Sequence, residues 1–199
     1  MRTLPLRWVP AFLLAVLCLG PVPASAAELQ ESAIGDPEAP VTMIEYSSLT
    51  CPHCASFHTD TLPGLKERYI DTGKVRLVLR DFPLDEAALR AAMIAHCAGP
   101  ERHARFVDVF FARQENWARA ADPVQALTQL AKLGGMGEAE VQACLADQEL
   151  EKAVLQARLD GQQRFEIRST PTFIIDGKAY PGNRSVDEFG EIIEPLLEG

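Results

Sequence analysis

The chain reads as an α/β protein in which a βαβ half and a ββα half enclose an all-helical insertion. Three observations predict this. Strand, helix and strand patterns follow one another from residue 41 to 80. From Leu84 to about Phe165 apolar residues recur at helical spacing with no convincing strand. From Thr172 a strand, strand, helix pattern returns. With 199 residues, 47% of them apolar and 24% charged, the chain suits one compact domain with a substantial core.

A polar stretch, 28–40, leads in. Val41-Thr42-Met43-Ile44-Glu45-Tyr46 alternates and is rich in strand formers, which predicts a central strand. Residues 47–50 form the loop leaving it. Cys51-Pro52 then opens a helix, since proline at the first helical position gives up an amide that has no partner there. Phe57, Leu62, Leu65 and Tyr69 fall on its inner side, and Pro63 predicts a kink. Gly73 closes the region, and 75–80 is a second buried strand.

Within the insertion, about 84–165, Leu89, Met93 and Cys97 share one helical face, and Phe106, Val109, Phe110 and Trp117 share another. Asp122-Pro123 caps a run with Val124, Leu127 and Leu130 that stops at Gly134-Gly135. Further helices are expected near 138–146 and 150–164. Strand 172–175, the two-residue turn Asp176-Gly177 and the return 178–180 make a hairpin. Ser185 caps a final helix over 186–197. No internal repeat or low-complexity tract interrupts the pattern.

Residues 1–26 stand apart from this domain, which is expected over 27–199. Arg2 and Arg7 give a basic start, an apolar run spans 9–19, and Ala24-Ser25-Ala26 offers small residues for cleavage. These features predict a secretory signal peptide. Pro10 and Gly20-Pro21 leave the run short of the roughly 20 apolar residues a membrane span needs. A lipid anchor on Cys18 is disfavoured by Leu17, where a small residue is usual. Removal of 1–26 takes away two arginines and no acid, moving the formal charge from −9 to −11. So acidic a chain is a poor partner for nucleic acid.

The same removal leaves four cysteines, Cys51, Cys54, Cys97 and Cys144, in a compartment where disulfides form. Four cysteines allow three pairings, among which sequence alone does not choose. Adjacency favours Cys51 with Cys54 and would leave Cys97 with Cys144. Two reduced, buried thiols are the alternative for the second pair.

Cys51-Pro52-His53-Cys54 carries the chemistry. Thiol–disulfide exchange needs one accessible cysteine of lowered pKa and a second to resolve the mixed disulfide. A cysteine at a helix N-terminus meets unpaired amides and the positive dipole end, which stabilise its thiolate. Cys54, one turn inward, is more buried. His53 can add a hydrogen bond or a charge that lowers the Cys51 pKa further. A stable thiolate is also a good leaving group and makes the disulfide a stronger oxidant. A zinc site would need two more ligands. Cys97 and Cys144 are isolated, which leaves His58, His96 and His103 to supply them, so no metal is expected. The three histidines are read as surface or packing residues.

Taken together, the chain resembles the DsbA-like periplasmic thiol:disulfide oxidoreductases from about Ile34 to Leu197. The likeness rests on Cys51-Pro52-His53-Cys54, on Glu45 in the preceding strand, on Thr170-Pro171-Thr172 and on the place of the helical insertion. The resemblance implies a thioredoxin-like fold with an all-helical insertion domain. Cys51 would be the nucleophile, Cys54 the resolving thiol, and Pro171 a cis proline. Thr170 would offer backbone hydrogen bonds to an extended substrate, a sequence-tolerant mode of binding. Glu45, buried beneath Cys54, would have a raised pKa and relay the resolving thiol's proton. A pairing of Glu45 with Arg80 is the alternative. Some relatives join the cysteines matching Cys97 and Cys144.

The implied function is oxidation of cysteine pairs in reduced or unfolded exported proteins, without a cofactor, by a periplasmic monomer reoxidised by a quinone-linked membrane partner. Thr170 departs from the best-known oxidases, which have an aliphatic residue there, whereas isomerases often have threonine. No N-terminal dimerisation domain of the isomerase kind is expected. Isomerase or reductase is therefore the second reading, and a non-catalytic client-binding module the third.

Overall fold

The computed structural model describes residues 29–198, so the expected signal peptide lies outside the described residues. Five strands form one mixed sheet in the order β1-β3-β2-β4-β5. They are β1 (Ser32–Ile34), β2 (Val41–Ser47), β3 (Val75–Asp81), β4 (Thr172–Ile175) and β5 (Lys178–Pro181). β2 is central, parallel to β3 and antiparallel to β4, while β1 and β5 are antiparallel edges. A βαβ half and a ββα half enclose a helical insertion, as the pattern predicts, in the thioredoxin-like arrangement that the resemblance implies.

Strand β1 is a correction to the sequence reading, which gave 28–40 only as a polar lead-in. Three residues are too few for an alternation to stand out. Pairing of Ser32 with Leu79 and Ile34 with Leu77 defines the strand instead.

Alternation decides what β2 shows to each side. Val41, Met43 and Glu45 share a parity, and Val41 and Met43 lie in the main core. Tyr46, of the other parity, packs with Phe82, Ile167 and Ile174 on the opposite face. A carboxylate thus sits on the buried face of the central strand, a position that demands a partner.

The helical stretch after the cysteines alternates in type. α1 (Pro52–Ser56) passes into a π-helical turn (Phe57–Thr61), then α2 (Leu62–Leu65) and a second π turn (Lys66–Ile70). The irregularity expected at Pro63 takes the form of the first π turn, where the Leu62 amide donates to the Phe57 carbonyl. Phe57, Leu62, Leu65 and Tyr69 are all buried, as their spacing predicts.

The insertion comprises α3 (Glu86–Cys97), α4 (Pro100–Ala112), α5 (Gln114–Trp117), α6 (Pro123–Leu133), α7 (Glu138–Leu145) and α8 (Gln148–Phe165). Side chains of Asp85, Asp122 and Asp147 cap α3, α6 and α8. One assignment is corrected. Val109 is 43% exposed, whereas Val107 and Phe111 join Phe106 and Phe110 inside. Trp117 is buried but belongs to α5, beyond the end of α4 at Ala112. The last helix, α9 (Val186–Leu197), is capped by Ser185 and sends Phe189 onto Phe57 and Phe173, with ring centroids 6.0 and 4.8 Å apart.

Candidate active site

The cysteine pair stands where β2 gives way to α1. Cys51 is the N-cap residue, in extended conformation, and Pro52 occupies the first turn, so the helix opens at the motif as the sequence predicts. Both thiols are unpaired in this structure. They differ in access: Cys51 is 7% exposed and Cys54 is fully enclosed.

Their proton affinities are driven apart. A hydrogen bond from the Cys54 thiol leads in lowering Cys51, against the opposing effect of burial. The Thr170 side chain and the backbone amides of Cys54 and His53 add to it, and the pKa falls from 9.0 to about 5. Burial, the Cys51 sulfur and the negative charge of Glu45 push Cys54 far upward. His53 acts here through its backbone amide, and its side chain is exposed. That differs from the ring effect expected of it, because the helix start turns the residue outward.

Thr170–Pro171 is a cis peptide bond. It brings the Thr170 carbonyl to 3.3 Å from the Cys51 sulfur. The Thr170 hydroxyl is buried and has no hydrogen-bond partner other than the ionised Cys51 sulfur that it helps to stabilise. β4 begins one residue later and pairs Phe173 with Glu45, so sheet register ties this loop to the strand beneath the cysteines.

Glu45 is fully buried, and its partner is not Arg80, which binds Glu31 instead. Glu45 Oε2 lies 3.0 Å from His58 Nε2, and His58 Nδ1 lies 3.0 Å from Asp108 Oδ1. Asp108 is 44% exposed at its side chain, so the chain of three groups runs from the interior to solvent. Burial opposes a charge on His58, but Glu45 and Asp108 outweigh it and raise the pKa to about 9. Reading His58 as a surface or packing residue is thus corrected. It sits in the first π turn, where ordinary helical spacing misplaces its face.

A second contact absent from the sequence reading comes from the insertion. Gln114 Nε2 donates to the carbonyls of Leu49 at 2.8 Å and Cys51 at 3.0 Å. A buried glutamine satisfying two loop carbonyls has no sequence signature. Cys97 and Cys144 form a disulfide joining the end of α3 to α7, with Cα atoms 6.1 Å apart. His96 and His103 stand together on α3 and α4 beside Asp81.

The thioredoxin family model matches residues 28–195. A Rickettsia felis protein provisionally named a protein-disulfide oxidoreductase is 30% identical over 169 residues, 84% of this chain and 60% of that one. The chain therefore spans about three fifths of that relative's length. Disulfide bond formation protein D of Bacillus subtilis is 25% identical over 85% of this chain and 78% of its own. Among solved structures, alpha-DsbA1 of Wolbachia pipientis superposes with a TM-score of 0.78 at 31% identity, covering 90% of this chain and 94% of that one.

Proposed function

The chain belongs to the thioredoxin family as a DsbA-like member, and on that premise we propose that it is a thiol:disulfide oxidoreductase that oxidises cysteine pairs in exported proteins. The observation that carries the reading is the opposed tuning of two adjacent thiols, Cys51 lowered to about 5 and Cys54 raised.

The reaction starts from the Cys51–Cys54 disulfide. A client thiolate attacks the Cys51 sulfur, forming a client–Cys51 mixed disulfide and releasing Cys54 as a thiolate. Cys54, with its raised pKa, takes up a proton, which Glu45 would relay from the imidazolium of His58 hydrogen-bonded to it. The client's second thiolate then attacks the client sulfur of the mixed disulfide. Cys51 leaves as a stable thiolate, and two electrons have passed from client to enzyme. The Thr170 backbone beside the sulfur suits an extended client segment of any sequence. Cys97–Cys144 serves as a structural bridge in this scheme.

Export through the predicted signal peptide, periplasmic location, action as a monomer and reoxidation by a quinone-linked membrane partner complete the proposal. The equilibrium reduction potential of the pair in glutathione buffers tests it, with Cys97–Cys144 followed separately. A value toward about −120 mV supports the oxidase. One near about −270 mV overturns it in favour of a reductase or isomerase, the reading that Thr170 favours.

A further inference from the structure

Asp81 at the end of β3, His96 on α3 and His103 on α4 each offer one ligand atom, all within 4.8 Å of one another. His96 Nε2 lies 2.6 Å from Asp81 Oδ2, and the two side chains are 11% and 13% exposed. His103 is 3% exposed, and its Nδ1 is 2.8 Å from Ser32 Oγ. Its other nitrogen, Nε2, is buried with no hydrogen-bond partner.

An orphaned ring nitrogen in the interior is costly and needs an explanation. With Nδ1–H donating to Ser32, Nε2 carries a free lone pair, the arrangement in which a hydroxyl or carbonyl behind a histidine orients it toward a metal. Asp81 supplies a carboxylate to the same cluster.

We propose that Asp81, His96 and His103 form a binding site for a zinc-class divalent transition metal. Two imidazoles and one carboxylate suit zinc, copper or nickel rather than magnesium or calcium, which prefer all-oxygen shells. Tetrahedral zinc with bonds of about 2.0 Å sets its ligands about 3.3 Å apart, so the three groups close only modestly on the ion. His96 and Asp81 exchange their mutual hydrogen bond for bonds to the metal. A cavity of about 220 Å³ lined in part by His96, Gly99, Pro100 and His103 leaves room for a water as fourth ligand. The bound ion would tie β3, and β1 through Ser32, to two helices of the insertion.

The test uses untagged protein oxidised at Cys51–Cys54, so that those thiols cannot take the metal. Zinc titrated by calorimetry should bind at one equivalent per chain. At a hundredfold excess over Kd the thermal midpoint should rise by about 5 to 10 °C. Cobalt should show the visible absorption of a four-coordinate site. H103Q and H96Q should each lose at least tenfold in affinity. Should H103Q fail to fold, H96Q, at the more exposed ligand, decides alone. Absence of stoichiometric binding, or wild-type affinity in a folded H96Q, overturns the site. Neither result bears on the redox pair.

Discussion

His58 Nε2 stands 3.0 Å from Glu45 Oε2, and both side chains are withdrawn from solvent, at 1% and 0% exposure. A carboxylate on the buried face of the central strand is thereby matched by an imidazolium. The match is pH-dependent. The folded pKa of His58, about 9, lies above the ordinary histidine value of 6.5. Its contribution to stability is fully present below about pH 6.5 and is lost as pH rises through about 9.

Denaturation of the oxidised protein should therefore show declining stability between pH 7 and 9.5. His58→Gln should cost about 3–5 kcal/mol at pH 7, the penalty of a buried charge left alone, and should flatten that decline. A His58→Gln variant with the wild-type slope would sink the assignment.

The tuning of Cys51 predicts a second profile. Alkylation of the reduced protein at Cys51 should titrate with a midpoint near pH 5, and Thr170→Val should move the midpoint upward. A lowered thiol pKa stabilises the fold above its unfolded value, and the effect is lost as pH falls through about 5. At pH 7, two units above the folded value, it is worth roughly 3 kcal/mol. The oxidised form has no such contribution. The stability gap between reduced and oxidised protein should consequently shift by about that amount between pH 7 and 4, and an unchanged gap would contradict the tuning.

Gln114→Leu removes the donor shared by the Leu49 and Cys51 carbonyls. The Leu49 carbonyl loses its donor, while the Cys51 carbonyl keeps the bonds it accepts from the Cys54 and Ala55 amides, so the loss should be about 1–3 kcal/mol. Because both carbonyls lie in the loop that presents Cys51, its alkylation rate should change as well. Wild-type stability and rate together would show that water replaces the amide at no cost.

Replacing Cys97 and Cys144 by alanine opens a loop of 47 residues. The chain-entropy relation gives a loss of about 4 kcal/mol, at the upper end of the usual range for a native bridge. Urea denaturation of the double variant with Cys51–Cys54 kept oxidised measures it, and a loss below about 1 kcal/mol would mean that the bridge adds little.

The fold was legible wherever period and punctuation agreed. Alternation marks β2, Asp122 and Ser185 mark helix starts, and Asp176-Gly177 marks the hairpin. The motif likewise placed Cys51 at a helix start. What escaped depends on exceptions to period. β1 is three residues long and is defined by its pairing. His58 and Val109 were misread, the first because a π turn shifts the face of its residues and the second because neighbouring apolar positions compete for the inside. Gln114 and the Asp81, His96 and His103 group are meetings of residues far apart in the chain, which no local pattern records.

The unequal access of the two sulfurs has a further consequence. Only Cys51 opens to the outside, so on the proposed reading every partner, whether client, small thiol or reoxidant, would dock on the same atom and none could be present together. Giving and receiving electrons would therefore be separated in time rather than in space. A client that lingered on Cys51 would hold up its own turnover and also bar the recharging of that molecule, so throughput would depend on how quickly Cys54 or a second client thiol clears the berth.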